Sequence, residues 1–203
     1  MNKCIENMMK EHELIVHVLA SLEAMAGKLE AGGKIARQDV ADFAVFFSQF
    51  ADKCHHGKEE DRLFCAMVEA GFSRESGPIG VMLFEHEAGR AEVRGLREIG
   101  GGAGPLSDAE RARTIGCARQ FVPLLYAHIQ KENNILYPMA QKALPTATLV
   151  ELDRSCEAFD RQILGQTEIS NLKNLATDLI RRYPSNPGDL AAYGGCGACA
   201  SAA

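Results

Sequence analysis

The chain has 203 residues, 46% of them hydrophobic and 6% aromatic, with no Trp and a formal net charge of −5. That length fits one domain able to bury a sizeable core, and the acidic balance argues against a nucleic-acid groove or a basic membrane patch. The N-terminus lacks a charged-then-apolar signal pattern and no apolar run approaches a membrane span, so a soluble cytoplasmic protein is expected.

The first predicted helix runs from about Cys4 to Glu30, with Ile5, Met8, His12, Ile15, Leu19, Leu22 and Ala26 recurring three and four apart until Gly32-Gly33 stops it. The second runs from about Gln38 or Asp39 to Ala70, on a stripe of Val40, Phe43, Phe47, Ala51, His55, Glu59 and Leu63. The third follows Ser76-Gly77-Pro78, where Pro suits a first helical turn, and carries Ile79, Met82, His86, Arg90 and Val93. A glycine-rich loop at 100–104 separates it from the fourth, which opens at Ser107 with Glu110 completing a capping box. That helix continues through Phe121, Leu125, His128, Glu132, Ile135 and Met139, with an expected kink at Pro123.

Four helices with short connections predict an all-α fold, an up-and-down four-helix bundle over residues 1–144. Two further amphipathic segments, Leu149–Leu164 and Ile169–Tyr183, make a C-terminal helical extension over 145–185, expected to pack on the bundle or on another subunit. Residues 186–203 read as a flexible Gly/Ala/Cys tail. In it, Cys196-Gly-Ala-Cys199 is a weak redox or metal signal. Seven cysteines, an odd number without framework spacing, read as reduced thiols, with Cys54, Cys65 and Cys117 as small core residues.

The bundle is also a duplication. Glu11-His12-Glu13 returns as Glu85-His86-Glu87, 74 residues later, and His55-x-x-Lys58-Glu59-x-x-x-Leu63-Phe64 returns as His128-x-x-Lys131-Glu132-x-x-x-Leu136-Tyr137, 73 residues later. Each core stripe thus carries one histidine, and residues four apart share a helical face, so Glu59 and Glu132 point where His55 and His128 point. Burying unpaired imidazoles and carboxylates is costly, and Arg62, Arg90 and Arg97 are the only cations on those stripes. Metal ions satisfy such groups well. Four His and two Glu are too many donors for one tetrahedral zinc and suit two carboxylate-bridged ions with room for a small ligand. Ferritin-like bundles use the reverse order, Glu-x-x-His, which is not met here.

On these motifs, together with His55-His56-Gly57-Lys58-Glu59-Glu60, residues 3–143 resemble the hemerythrin-like, or HHE cation-binding, family. The resemblance implies a bundle holding two non-haem iron ions with oxo or hydroxo and carboxylate bridges. It implies His12, His55, His86 and His128 as terminal ligands, Glu59 and Glu132 as bridges, and O2 or a related small ligand as partner. Two departures stand out: Arg90 occupies the place of a second third-helix histidine, and Glu132 with Asn133 replaces an Asp five residues after the fourth-helix histidine. His56 and Glu60 are further candidate donors, although the repeat sets Ile129 opposite His56. His17 falls about 140° round the helix from His12, towards a surface. The functions in play are binding or sensing of O2, NO or peroxide, or iron handling. A di-iron peroxidase, oxidase or NO reductase is the enzymatic alternative, and the extension would serve a homodimer or a signalling partner.

Overall fold

The computed structural model describes residues 2–194. Four long rods, the bundle, occupy residues 3–143, and two more helices lie against them. Rod one is α1, Lys3–Glu30, started by the Asn2 side chain accepting from the Ile5 N–H at 3.2 Å. Rod two begins as α2, Arg37–Phe46, widens into π-helix over Phe47–His56 and Glu59–Leu63, and ends as α3, Phe64–Glu69. Rod three is α4, Gly77–Gly100. Rod four is α5, Asp108–Lys131, capped reciprocally by Ser107 and Glu110; it runs helical through Pro123, takes a π turn at Glu132–Leu136 and finishes as α6, Tyr137–Ala143.

Among the described residues there is no strand, so the all-α bundle is the observed architecture. No helix among them is long and apolar enough to cross a membrane. Rods two and three approach closely because Gly100 has no side chain: a Cβ there would meet the Ala41 backbone at 2.6 Å. Two apolar clusters fill the interior. One gathers Ile15, Leu19, Phe43, Phe47, Phe121 and Leu125, the other Ile5, Met8, Phe64, Met67, Met82 and Tyr137. The histidines form a polar layer between them.

The extension is α7, Thr146–Ile163, and α8, Gly165–Arg182, and it packs on its own bundle. Arg182 pairs with Asp39 and Asp42 while the Tyr183 hydroxyl donates to Asp39 at 2.6 Å. Pro187–Tyr193, assigned above to a flexible tail, forms a 3-10 helix whose Tyr193 hydroxyl donates to Glu23 at 3.1 Å. Cys196 and Cys199 lie outside the described residues.

The thiol reading needs correcting. Cys4 and Cys156 form a disulfide across 152 residues, tying α1 to α7. Linear spacing carries no trace of this pairing, because it exists only once α7 folds back along α1. With two cysteines bridged, the argument from free thiols to a reducing compartment loses its basis. Cys54 and Cys117 are buried as expected, but Cys65 is exposed.

Candidate metal centre

Each histidine stripe delivers its imidazole to the centre of the bundle. His12, His55, His86 and His128, with Glu59 and Glu132, are all 2% exposed or less. Rings from different rods lie close, with centroids 4.5 Å apart for His12 and His55 and 4.8 Å for His86 and His128. Two donor sets result, each within coordinating reach of one point: His12, His55, Glu59 and Glu132, and His56, Glu59, His86 and His128. Glu59 belongs to both. Glu132 also spans them, its oxygens 3.2 Å from His12 Nε2 and 3.0 Å from His128 Nε2.

His56 therefore joins the centre beside His55, although the repeat sets Ile129 opposite it. Both residues sit in a π segment, where wider turns change which side chains share a face. Its ring stacks on His86 at 3.9 Å. The π turns recur in the duplication: Phe64 N–H donates to Glu59 O, and Tyr137 N–H to Glu132 O, each across five residues. Glu60 lies outside both sets, as does His17, which is exposed and bonded to the Glu13 carbonyl at 2.7 Å.

Outer groups orient the rings. His55 Nδ1 meets Glu11 at 2.8 Å and His128 Nδ1 meets Glu85 at 2.9 Å. His86 Nδ1 meets Glu60 at 2.7 Å and His12 Nδ1 meets Asn133 at 2.8 Å. With Nδ1 engaged outside, Nε2 is turned inward, as metal-binding imidazoles require. The repeated motif is thereby explained: Glu11 and Glu85, each preceding a histidine, bond the histidine of another rod and are held there by Lys58 and Lys131. Lys58 is itself buried and reaches Asp160 of α7 at 2.9 Å. The sequence reading missed Glu11, Glu85, Lys58 and Lys131 as a unit, although their recurrence at the duplication offsets was the available signal. It missed Tyr137 too, whose hydroxyl donates to Glu59 at 2.6 Å.

Several buried atoms make no hydrogen bond and meet only one another or a neighbouring imidazole, at 3.0–3.9 Å: Nε2 of His12 and His55, Oε2 of Glu59, and both oxygens of Glu132. Leaving such atoms unmet inside a core is unfavourable by about 1–3 kcal/mol each, and more when charged. They converge on the two donor points, which is the pattern a cation would satisfy. Electrostatics agree. Burial pushes the His55 imidazole well below its ordinary pKa and His56 to about 3. For His128, burial is outweighed by the Glu132 carboxylate, and its pKa rises to about 9; Glu132 and Glu59 likewise lift His86. A proton on the Nε2 of His86 or His128 would have to leave before that nitrogen could bind a cation.

The polar layer borders two hollows, one of them lined by His12, Ile129 and Asn133. The other, a cavity of about 200 Å³, ends on His56, His86 and His128 and is bordered by Asp52 and Arg90. Arg90, standing at the departure noted above, donates to Asp52 at 2.8 Å and to Glu60 at 2.7 Å.

Comparison with known proteins fits this geometry. Residues 4–140 match the family model of the hemerythrin HHE cation binding domain. The chain is 33% identical over 93 residues to "Iron-sulfur cluster repair protein YtfE" of Musicola paradisiaca (strain Ech703). That match covers 44% of this chain and 41% of the relative, so the chain spans less than half of it. No solved structure matches the chain at a significant level.

Proposed function

The chain belongs to the hemerythrin HHE cation-binding family, and from that premise we propose that it is a non-haem iron protein with two ions, binding O2, NO or peroxide on the cavity side. The observation that carries this reading is the convergence of unpartnered imidazole and carboxylate atoms on two donor points that share Glu59. In this assignment His12, His55 and Glu132 serve one ion, His56, His86 and His128 the other, and Glu59 and Glu132 bridge. The third imidazole of the cavity-side ion then comes from His56 on rod two, in place of the histidine that Arg90 displaces on rod three. Glu60 orients His86 instead of coordinating.

Iron held this way supplies Lewis acidity and redox chemistry to a small bound ligand. The chain's own residues set the conditions. Glu11, Glu85, Glu60 and Asn133 fix the ring orientations, and the two apolar clusters exclude bulk water. Tyr137 holds a proton against Glu59, since burial and the two carboxylates raise its pKa well above the phenol range.

Purified from iron-replete cells, the full chain should carry about two iron atoms, with an absorption band that changes on exposure to air. Glu59→Ala should remove most of the metal, because that side chain serves both points, whereas His17→Ala should retain it. An iron-free protein of unchanged stability would overturn the reading. A second reading, iron supply to other proteins, is favoured by the similarity to a cluster repair protein; iron leaving the chain for an apo iron–sulfur acceptor, faster than for a chelator alone, would select it.

A further inference from the structure

The cavity is lined from rods two, three and four, and the duplication does not repeat the small residues that open it. Where rod three has Gly89, rod one has Ile15; where rod two has Ser48 and Asp52, rod four has Phe121 and Leu125. Small residues thus keep this space open at positions where the repeat carries larger ones. Gly89 is already in near contact with Phe121, where an added Cβ would sit 3.2 Å from the ring. The walls are apolar, from Phe47, Val93, Phe121 and Leu125.

Its rim carries a charge surplus. Arg90, Arg94 and Arg97 all line the cavity from α4, spaced so that they share a helical face. Rod one has Val16, Ala20 and Glu23 at the matching places. Arg90 is committed to Asp52, Glu60 and Glu87. The other lining carboxylate, Glu85, is taken by His128 and Lys131; Glu98, outside the lining, is bonded to Arg113 at 2.5 Å and feels the Arg97 and Arg94 charges more weakly. Every carboxylate bordering the cavity therefore has its cation, while Arg94 and Arg97 form no hydrogen bond or ion pair among the described residues and are exposed at the mouth.

Apolar walls beneath two unpaired guanidiniums define a ligand with a carboxylate at one end and a compact hydrocarbon body at the other. We propose that this cavity is a binding site for a small organic carboxylate, its anionic end between Arg94 and Arg97 and its body reaching towards His56 and His86. At about 30 Å³ per water-sized volume, 200 Å³ admits a body of roughly six to ten non-hydrogen atoms. Such an occupant would cover the way in to the imidazoles. The assignment stands on the lining residues and does not require the metal reading, so the two fail separately.

Benzoate and its neutral isostere benzamide are suitable probes, titrated calorimetrically into the full chain as purified, with metal content measured alongside. Benzoate should bind one to one with a Kd at or below about 1 mM, and benzamide at least tenfold more weakly. The double variant Arg94→Gln/Arg97→Gln should weaken benzoate at least tenfold while leaving metal content unchanged. Ser48→Phe, which restores the bulk found at Phe121, should abolish binding with the melting temperature retained. Benzamide binding as well as benzoate would overturn the proposal, and so would benzoate binding undiminished in the double arginine variant, the mark of direct attachment to metal. No detectable heat up to about 10 mM benzoate would overturn it as well.

Discussion

On the first half of the centre, His12 is held by Asn133 and stacked on Tyr137 at 5.6 Å, with Ile129 at the repeat-matched place of His56. On the second, His86 is held by Glu60 and stacked on Phe64 at 6.0 Å, and His56 stands where the repeat has Ile129. The parts that aim the imidazoles are the same in both: Glu11 with Lys58, Glu85 with Lys131, and a π turn starting at each central glutamate. What differs lies at the cavity: Asp52, His56 and Arg90 line it, with Glu60 bonded to Arg90 behind them, where the repeat has Leu125, Ile129, Val16 and Asn133. The scaffold is thus common to both halves, and the chemistry open to a ligand belongs to one.

The largest difference between the halves should lie in the two lysines. Lys58 is 2% exposed and sits between Glu11 and Asp160, whereas the Lys131 side chain is 37% exposed and has Glu85 alone. Removing a buried cation leaves two carboxylates uncompensated, at a cost of about 3–5 kcal/mol, while an exposed pair contributes about 1 kcal/mol or less. Lys58→Met should therefore unfold at much lower urea than Lys131→Met, relative to the parent chain. Equal losses would mean that α7 does not support the first half.

Tyr137 offers the next test. Its hydroxyl gives the first half a hydrogen bond to Glu59 that Phe64 cannot give in the second. Tyr137→Phe should cost about 1.5–3 kcal/mol, the range for a bond to a charged acceptor, with helicity by circular dichroism unchanged. If stability is unmoved, the stacking on His12 is the residue's whole contribution.

Much of this was legible from residue order alone. Histidines on apolar stripes identified the centre, since period and burial together leave few other uses for them, and Ser107 with Glu110 marked the start of rod four. The π segments were not legible: their hydrogen bonds span five residues without any composition that distinguishes them from α-helix, and so residue order left His56 only a further candidate beside Glu60. The Cys4–Cys156 bridge and the Lys58–Asp160 pair were hidden for a different reason. Both join residues more than a hundred positions apart, and the extension that carries their second members has no counterpart in the repeat.

The smallest expected difference is in acid. Burial works against the Asp52 and Glu60 carboxylates, but the His56 ring 3.4 Å away and a hydrogen bond from Arg90 at Asp52, and hydrogen bonds from His86 and Arg90 at Glu60, outweigh it and hold both at about 2. A carboxylate with a lower pKa folded than unfolded adds stability above its unfolded value, and that stability drains away as pH falls towards the folded one. The window here runs from about 4.5 down to about 2. Leu125 and Asn133, their counterparts, do not titrate, so this drain belongs to the cavity side. Asp52→Asn/Glu60→Gln should flatten the fall of melting temperature across that window, by an amount worth about 1 kcal/mol or less because both carboxylates are partly exposed. A double variant with the parent's slope would show that Arg90 and the two acids are a solvated surface pair, and the polar difference between the halves would then come down to His56 alone.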